Sequence, residues 1–521
     1  MKIIYNLAFI MLFMIVGNLS AQKISVELGP QIKFDNDRSY PTLLYGDDSG
    51  YYIWSKEYGG LFSSKSSSFL EKLDTKLNLV SSKEFLSLED DVYDEGIEYF
   101  NGQFIWMVSE RDKKNDRITY KVKPISLEGK GSKSVTLSRF KYEKKRDIPE
   151  TRWYFNADTT NLLFLAESDN NSKKEQYQIH LVSIDKDLNT MWDKTFQFRK
   201  TEAQTTLLSK ELNKQGEAYL LYKVYEDKKK EKKGGKPAYD IELFYIKNDT
   251  AEVKKFNLDI KDSFIKSANL KLRENGELYC IGLYSNTVDG PTHGVFFMKL
   301  ENGEVSIATK RSFSEEEIEK LGDRNTDKDK SGEDGLNDDF RFRSIEILND
   351  GSAFVTVEPN YIRISRSMYA NGRTTETTTY FSEDIIIINI LPDGEVSSLN
   401  IIPKLQRNNE NAIFLSHKSF KYNDKIYVFY NEDEDNYKKP IGAKPKTTSK
   451  FSDFVATLTT LDKDGNFERN ALFSHTDTGS ILIPDDIKKI TDTKYFFITV
   501  QRKFLSSRSK FTFGTINLSP Y

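Results

Sequence analysis

A short turn followed at once by a run of aromatic and aliphatic residues recurs eight times along this chain. The turns are Asp48-Ser49-Gly50, Asn101-Gly102, Asp158-Thr159, Gln215-Gly216, Asn275-Gly276, Asp350-Gly351, Asn423-Asp424 and Asp492-Thr493. A recurrence at roughly 50 to 75 residues is the mark of a repeated supersecondary unit, so it constrains the fold more than any single motif. A second series follows the first by about one hairpin each time: Asp74-Thr75, Glu128-Gly129, Asp185 to Asn189, Asn248-Asp249, Asn302-Gly303, Asp393-Gly394 and Asp464-Gly465. The runs between the turns include "EAYLLYKVY", "DIELFYI", "ELYCIGLY", "GVFFMKL", "SAFVTV" and "KIYVFY". Their β-branched and aromatic side chains suit strands. Only "SEEEIEKLG", Ser314 to Gly322, reads as a helix, with Ser314 as N-cap, Glu317 closing a capping box and Gly322 as the stop.

Four-stranded units, with strands A to D and tight A–B and C–D turns, explain both series. Such units are the blades of a β-propeller. The eighth C–D turn is missing because the chain reaches "FTFGTINLSPY" on strand C of the last unit. "QKISVELGPQIKF" precedes strand A of the first unit and belongs to none, so it is placed as the missing fourth strand. Closing the ring this way removes the exposed edges of an open array. The expectation is an all-β, eight-bladed propeller over residues 22–521, with seven blades as the alternative and a helix-plus-acidic-loop insertion at 313–339.

Residues 1–21 read as a signal peptide: Lys2, an apolar stretch from Ile3 to Val16, and Ser20-Ala21 before a cut at Gln22. The mature chain is therefore expected to be exported, and no later segment resembles a transmembrane run. No Cys follows the apolar stretch to carry a lipid. Cys280 is the only cysteine, so no intrachain disulfide is available and packing alone must hold the fold. A net charge of -3 with 30% charged residues argues against nucleic acid as a partner.

Catalytic signatures are absent: the chain has no G-x-S-x-G, no H-E-x-x-H and no Gly-rich phosphate loop. Cys280 sits four residues after Gly276, in the register of Trp54, Trp106, Leu220 and Val355 after their own turns, which marks a packed thiol. His180, His293, His417 and His475 lack zinc-site spacing and read as ordinary sheet or loop residues. One acidic stretch, "DKDKSGEDGLND", does have ligand spacing. Asp327, Asp329, Ser331 and Asp338 fall at positions 1, 3, 5 and 12 of a calcium loop, with Gly332 at 6 and the Glu333 carbonyl at 7. The competing reading is a solvated acidic linker. Calcium, if held, would be structural.

Length varies mainly in the B–C loops and blade crossovers, which share one face of a propeller. Windows 55–68, 109–117, 168–175, 226–237, 285–293, 359–383, 431–450 and 501–510 together carry +10, leaving -13 for the rest of the chain. The most basic stretches contribute Lys228, Lys229, Lys230, Lys232 and Lys233, and Arg502, Lys503 and Arg508. These are the candidate partner-binding residues.

The signal sequence ending in Ser-Ala-Gln, the Lys-, Asn- and aromatic-rich mature chain, and phrases such as "NDKIYVFYNEDEDN" resemble the large secreted propeller-type proteins of Bacteroidota. The resemblance covers the whole chain. It implies a periplasmic resident, since the C-terminal sorting domain common in that group is not visible. It also implies O-glycosylation at Asp-Ser/Thr patterns, here Thr159 and Thr250. On these grounds the expected function is a non-catalytic binding or scaffold module in the periplasm. Its partner would be a cell-envelope protein, and its role accessory to an outer-membrane assembly, transport or secretion machine. The alternative is a propeller hydrolase or lyase acting on glycan or peptide at the central channel.

Overall fold

A computed structural model describes residues 24–34, 40–58, 66–87, 91–144, 147–167, 176–247, 253–257, 260, 263–301, 304–328, 332–337, 339–368, 374–501 and 510–518. Among the described residues strands dominate, forming eight successive antiparallel sheets of four or more strands and two small two-stranded sheets. Sheet 1 runs Thr42–Asp47, Gly50–Tyr58, Ser66–Leu73, Leu79–Ser87, each strand pairing with the next. Sheets 2 to 5 and sheet 7 repeat this meander. All eight A–B turns and all seven C–D turns expected from the sequence fall between paired strands, although 248–249 and 302–303 lie outside the described residues.

The last sheet differs in two ways. Its fourth strand is Ile24–Lys33, which pairs antiparallel with Lys510–Leu518 from Ile24 opposite Leu518 to Lys33 opposite Lys510. Its first strand is broken into Ile481–Leu482 and Lys488–Lys489 by the 3-10 turn Pro484–Asp486. Proline has no N–H for the ladder, so the strand opens there.

Alternation along each second strand explains how the sheets stack. In sheet 2, Phe104, Trp106 and Val108 pack toward Tyr52 and Leu70 of sheet 1, whereas Ile105 and Met107 pack toward Phe164 and Val182 of sheet 3. A period of two gives every blade two apolar faces. Eight apolar clusters result, one between each pair of successive sheets. The eighth joins Phe496, Ile498, Phe511 and Phe513 of the last sheet to Leu43, Tyr51, Ile53 and Leu73 of the first.

The helix is where the sequence places it, Glu315–Leu321, with the Ser314 hydroxyl accepting from the Glu317 N–H and the Glu317 carboxylate accepting from the Ser314 N–H. Among the described residues two further single-turn α-helices, Glu434–Tyr437 and His475–Thr478, were not expected; each follows an Asp or Ser N-cap at a strand end. The acidic loop after the first helix is partly a hairpin, Thr326–Lys328 against Asp334–Leu336, and Leu321 and Leu336 pack into the core between sheets 5 and 6. A larger departure is the 359–383 window, expected to be a loop. Ala353–Met368 is instead one 16-residue strand. Its outer half pairs with Thr374–Ser382, so the second hairpin of sheet 6 is extended into a two-stranded arm. Runs such as "YIRISRS" and "TTETTTY" alternate and are β-branched, which is strand chemistry inside a polar window.

Candidate functional site

Three regions collect functional chemistry: histidine clusters, the wall formed by the inner strands, and the face bearing the arm and B–C loops. Three of the histidines each have a hydroxyl and a carboxylate close by. His417, the first residue of the inner strand of sheet 7, places Nδ1 2.9 Å from Glu358 Oε2 and Nε2 3.1 Å from Thr356 Oγ1. Lys404 Nζ lies 3.2 Å from the same Glu358 oxygen, and Ser416 donates to Glu358 Oε1. All of these side chains are buried. Burial alone would raise the Glu358 carboxyl, but Lys404, His417 and Arg343 outweigh it and hold it well below the usual carboxylate range. In the second cluster, His293 Nδ1 accepts from the Asn286 N–H at 3.1 Å and lies 3.3 Å from Ser285 Oγ, while Nε2 faces Glu333 at 3.5 Å. In the third, His180 Nε2 is 3.1 Å from Ser138 Oγ and 3.6 Å from Asp193.

Each of the three hydroxyls, Thr356, Ser285 and Ser138, is buried. A nucleophile must be reached by its substrate, so these clusters serve as internal pins rather than catalytic sets. Sequence spacing could not reveal them. Glu358 and His417 are 59 residues apart and meet only because sheets 6 and 7 stack.

The inner strands stand side by side: Thr205–Leu212 beside Phe264–Leu272, that beside Phe340–Ile347, that beside His417–Tyr422, and the last beside Pro484–Asp486. Their lining is charged. Lys210, Glu211, Lys271, Glu346, Lys418, Lys421, Lys488 and Lys489 come from sheets 4 to 8, and Glu98 comes from sheet 2. The charges of Lys271 and Lys210 oppose the desolvation of Glu211, those of Lys271, Lys421, Lys489 and Lys418 oppose that of Glu346, and that of Lys488 opposes that of Glu98. Desolvation pushes the Glu211 carboxyl up to about 7 and Asp486 up to about 6, and raises Glu98 and Glu346 as well. The same cause lowers the ammonium groups of Lys210, Lys418 and Lys421. Glu98, Lys210, Lys488 and Lys489 are nevertheless exposed to solvent.

The arm stacks Tyr361 on Phe381, ring centroids 4.8 Å apart, with Arg363 over both rings. Its opposite face carries Ile362, Ile364 and Met368, which are 57%, 61% and 78% exposed. Among the described residues, only its base, Tyr380–Ser382, gains a third strand, Gln406–Asn408.

The residues singled out from sequence are scattered. Lys228, Lys229, Lys230, Lys232 and Lys233 are all exposed on one loop. Lys230 is paired with Asp227 at 3.1 Å and Lys233 with Glu226 at 2.8 Å, so the loop neutralises part of its own charge. Arg502, Lys503 and Arg508 lie outside the described residues, as do Asp329, Ser331, Asp338 and Thr250. Of the calcium-loop set, Asp327 pairs across the hairpin with Gly335 and accepts from the Lys328 N–H, and the Glu333 side chain accepts from Asn286 at 2.9 Å. Among the described residues no three His, Cys, Asp or Glu side chains are grouped to hold a metal ion. Thr159 sits in the A–B turn of sheet 3 with φ 53. Cys280 is in the core between sheets 4 and 5, where burial pushes its thiol up to about 12.

A succession of four-stranded antiparallel meanders, stacked face to face, defines the class: this is a β-propeller. No protein-family model matches the chain, and no curated protein matches it in sequence. Solved structures similar to it include prolyl oligopeptidase B from Galerina marginata, at 11% identity over 89% of this chain and 55% of that one, with a TM-score of 0.38. The chain thus spans about half the length of that peptidase. The β-propeller domain of the Trilobed protease from Pyrococcus furiosus is similar at 9% identity over 84% of this chain and all of that one, with a TM-score of 0.35. A protein of unknown function from Bacteroides caccae is similar at 10% identity over 71% and 93% of the two chains, with a TM-score of 0.26. Likeness this distant says nothing of activity.

Proposed function

We propose that this protein is a non-catalytic binding or scaffold module: an exported, periplasmic, eight-bladed propeller whose ring is closed by the N-terminal strand and whose B–C face docks a cell-envelope protein. Support for the ring comes from the eight sheet-to-sheet cores and from the pairing of Ile24–Lys33 with Lys510–Leu518. Docking rests on one observation, the apolar face of the arm. A two-stranded hairpin is marginal alone in water, and Ile362, Ile364 and Met368 leave it with a bare hydrophobic stripe. A partner strand added along Tyr361–Met368 would complete the backbone pairing, and partner side chains packed over that face would cover the stripe. The alternative is a propeller hydrolase or lyase acting on glycan or peptide at the central channel; the hydroxyls beside His180, His293 and His417 are buried and would not serve it as nucleophiles.

Crosslinked affinity purification from the native envelope tests this reading. The protein should capture a discrete envelope partner, and Ile362→Asp with Ile364→Asp should abolish capture while leaving the melting temperature unchanged. Full capture by that variant would show that the arm is not the docking element.

A further inference from the structure

A cavity of about 610 Å³ lies between sheets 4 and 5, at the end that carries their A–B turns, Asn213 to Glu217 and Asn275 to Glu277. Both turns lead into the same run, Gly216-Glu217-Ala218-Tyr219 and Gly276-Glu277-Leu278-Tyr279. Each second strand is thus entered by a glutamate with a tyrosine two residues on. Leu243, Leu278 and Leu300, with the rings of Tyr219 and Tyr245, form the apolar part of the lining. The two rings stack, their centroids 4.6 Å and their planes 8° apart.

The polar part is fixed before any ligand arrives. On the sheet 4 side, Glu217 Oε2 accepts from Tyr245 Oη at 2.7 Å and from Asn213 Nδ2 at 2.8 Å. On the sheet 5 side, Glu277 accepts from Arg273 at 2.6 Å, Asn275 Nδ2 at 2.8 Å and Lys299 at 2.6 Å, and Lys299 also holds Glu301 at 2.6 Å. Four charged side chains line the cavity, Glu217, Lys247, Glu277 and Glu301, and the last two are ion-paired. Glu217 and Lys247, which have no ion pair among the described residues, are opposite in sign, so the lining presents no unpaired block of one charge. Hydrogen-bonding capacity is left over all the same. Among the described residues Glu217 Oε1 and the Gln215 side-chain amide have no partner, and the Lys247 ammonium rests 5.3 Å from the centre of the Tyr245 ring without a carboxylate.

Such a lining suits an uncharged ligand that both donates and accepts hydrogen bonds and has apolar C–H surfaces of its own. Sugar rings have this chemistry, and the cavity is within the range of about 300 to 1,000 Å³ of small-molecule sites. We propose that the cavity between sheets 4 and 5 binds a neutral oligosaccharide, its hydroxyls bonded to Gln215, Glu217 and Lys247 and its C–H faces laid on the tyrosine and leucine side chains. The A–B turns are at the opposite end of the strands from the arm and the loop lysines, so this site does not depend on docking of a protein partner.

Isothermal titration of the purified protein with maltotriose, cellotriose and triacetylchitotriose, and with trigalacturonate as the charged counterpart, tests the proposal. At least one neutral sugar should bind, with an affinity that salt leaves unchanged, and trigalacturonate should bind at least tenfold more weakly than that sugar. Gln215→Ala combined with Lys247→Ala should weaken binding at least tenfold with the melting temperature unchanged, since neither side chain holds a carboxylate. Gln215→Ala alone provides the comparison if the double variant fails to fold. Ile362→Asp with Ile364→Asp, on the arm, should bind sugar like the unaltered protein, which separates this site from the docking face. No binding of any neutral sugar at millimolar concentration, undiminished binding by the cavity variants, or tighter binding of trigalacturonate would overturn the proposal.

Discussion

Glu432 illustrates how much one residue's setting matters. It is 1% exposed at the end of the second strand of sheet 7, where burial pushes its carboxyl up to about 7 despite hydrogen bonds from the Asp433 N–H and Asn436 Nδ2. A raised carboxyl binds its proton more tightly in the folded state. Its contribution to stability is therefore complete below the unfolded value near 4.5 and is lost as pH rises through about 7. Gln in its place keeps the acceptor oxygen and never ionises. Glu432→Gln should gain roughly 3 kcal/mol over the unaltered protein at pH 8 and almost nothing at pH 4, at about 1.4 kcal/mol for each tenfold difference in proton affinity between the folded and unfolded states. Denaturant titrations at the two pH values check the sign: equal gains at both would mean that Glu432 is not held protonated. The Glu358 carboxyl, equally buried, is shifted the other way because cations surround it.

At the scale of elements, one turn chemistry recurs. Asp74, Asp185 and Asp462 each accept from the backbone N–H two and four residues on, and each is bonded by an Asn side chain four residues on, Asn78, Asn189 and Asn466. The short polar side chain substitutes for a missing strand partner, so the turn closes without help from the core. Asp462→Ala should cost about 1 kcal/mol, read as a lower denaturant midpoint at constant slope. Asp464→Ala, two residues away and without this role, should leave the midpoint in place. These turns were legible in the sequence because their chemistry is local. The arm was not, because Ser, Thr, Asn and Gly within 359–383 look like loop composition while its strand character depends on pairing Ile362 with Tyr380 and Ile364 with Thr378.

In the whole molecule, the strand nearest the N-terminus sits in the last sheet. Ile24–Lys33 covers the edge of Lys510–Leu518, and Ile32 and Phe34 enter the core shared by the last and first sheets. Removing residues 22–34 should expose that edge and open the core, turning a single cooperative unfolding transition into a broad one with aggregation. The peptide "QKISVELGPQIKF" added in trans should restore solubility and the sharp transition. Size-exclusion chromatography and calorimetry read both outcomes; a truncated protein that melts like the full chain would show that the strand does not hold the fold together.

Local signals determined a great deal here. Turn residues, strand periodicity and the capping box at Ser314 and Glu317 are short-range features, readable residue by residue. The register of Cys280 after Gly276 also sufficed to place it in a core. Tertiary structure alone decided the rest. The Glu358, Lys404 and His417 network, the lysine-rich inner wall and the broken first strand of the last sheet join residues tens to hundreds of positions apart. Their chemistry arises from stacking one blade on the next, which sets burial and brings charges together, and no spacing along the chain encodes those distances.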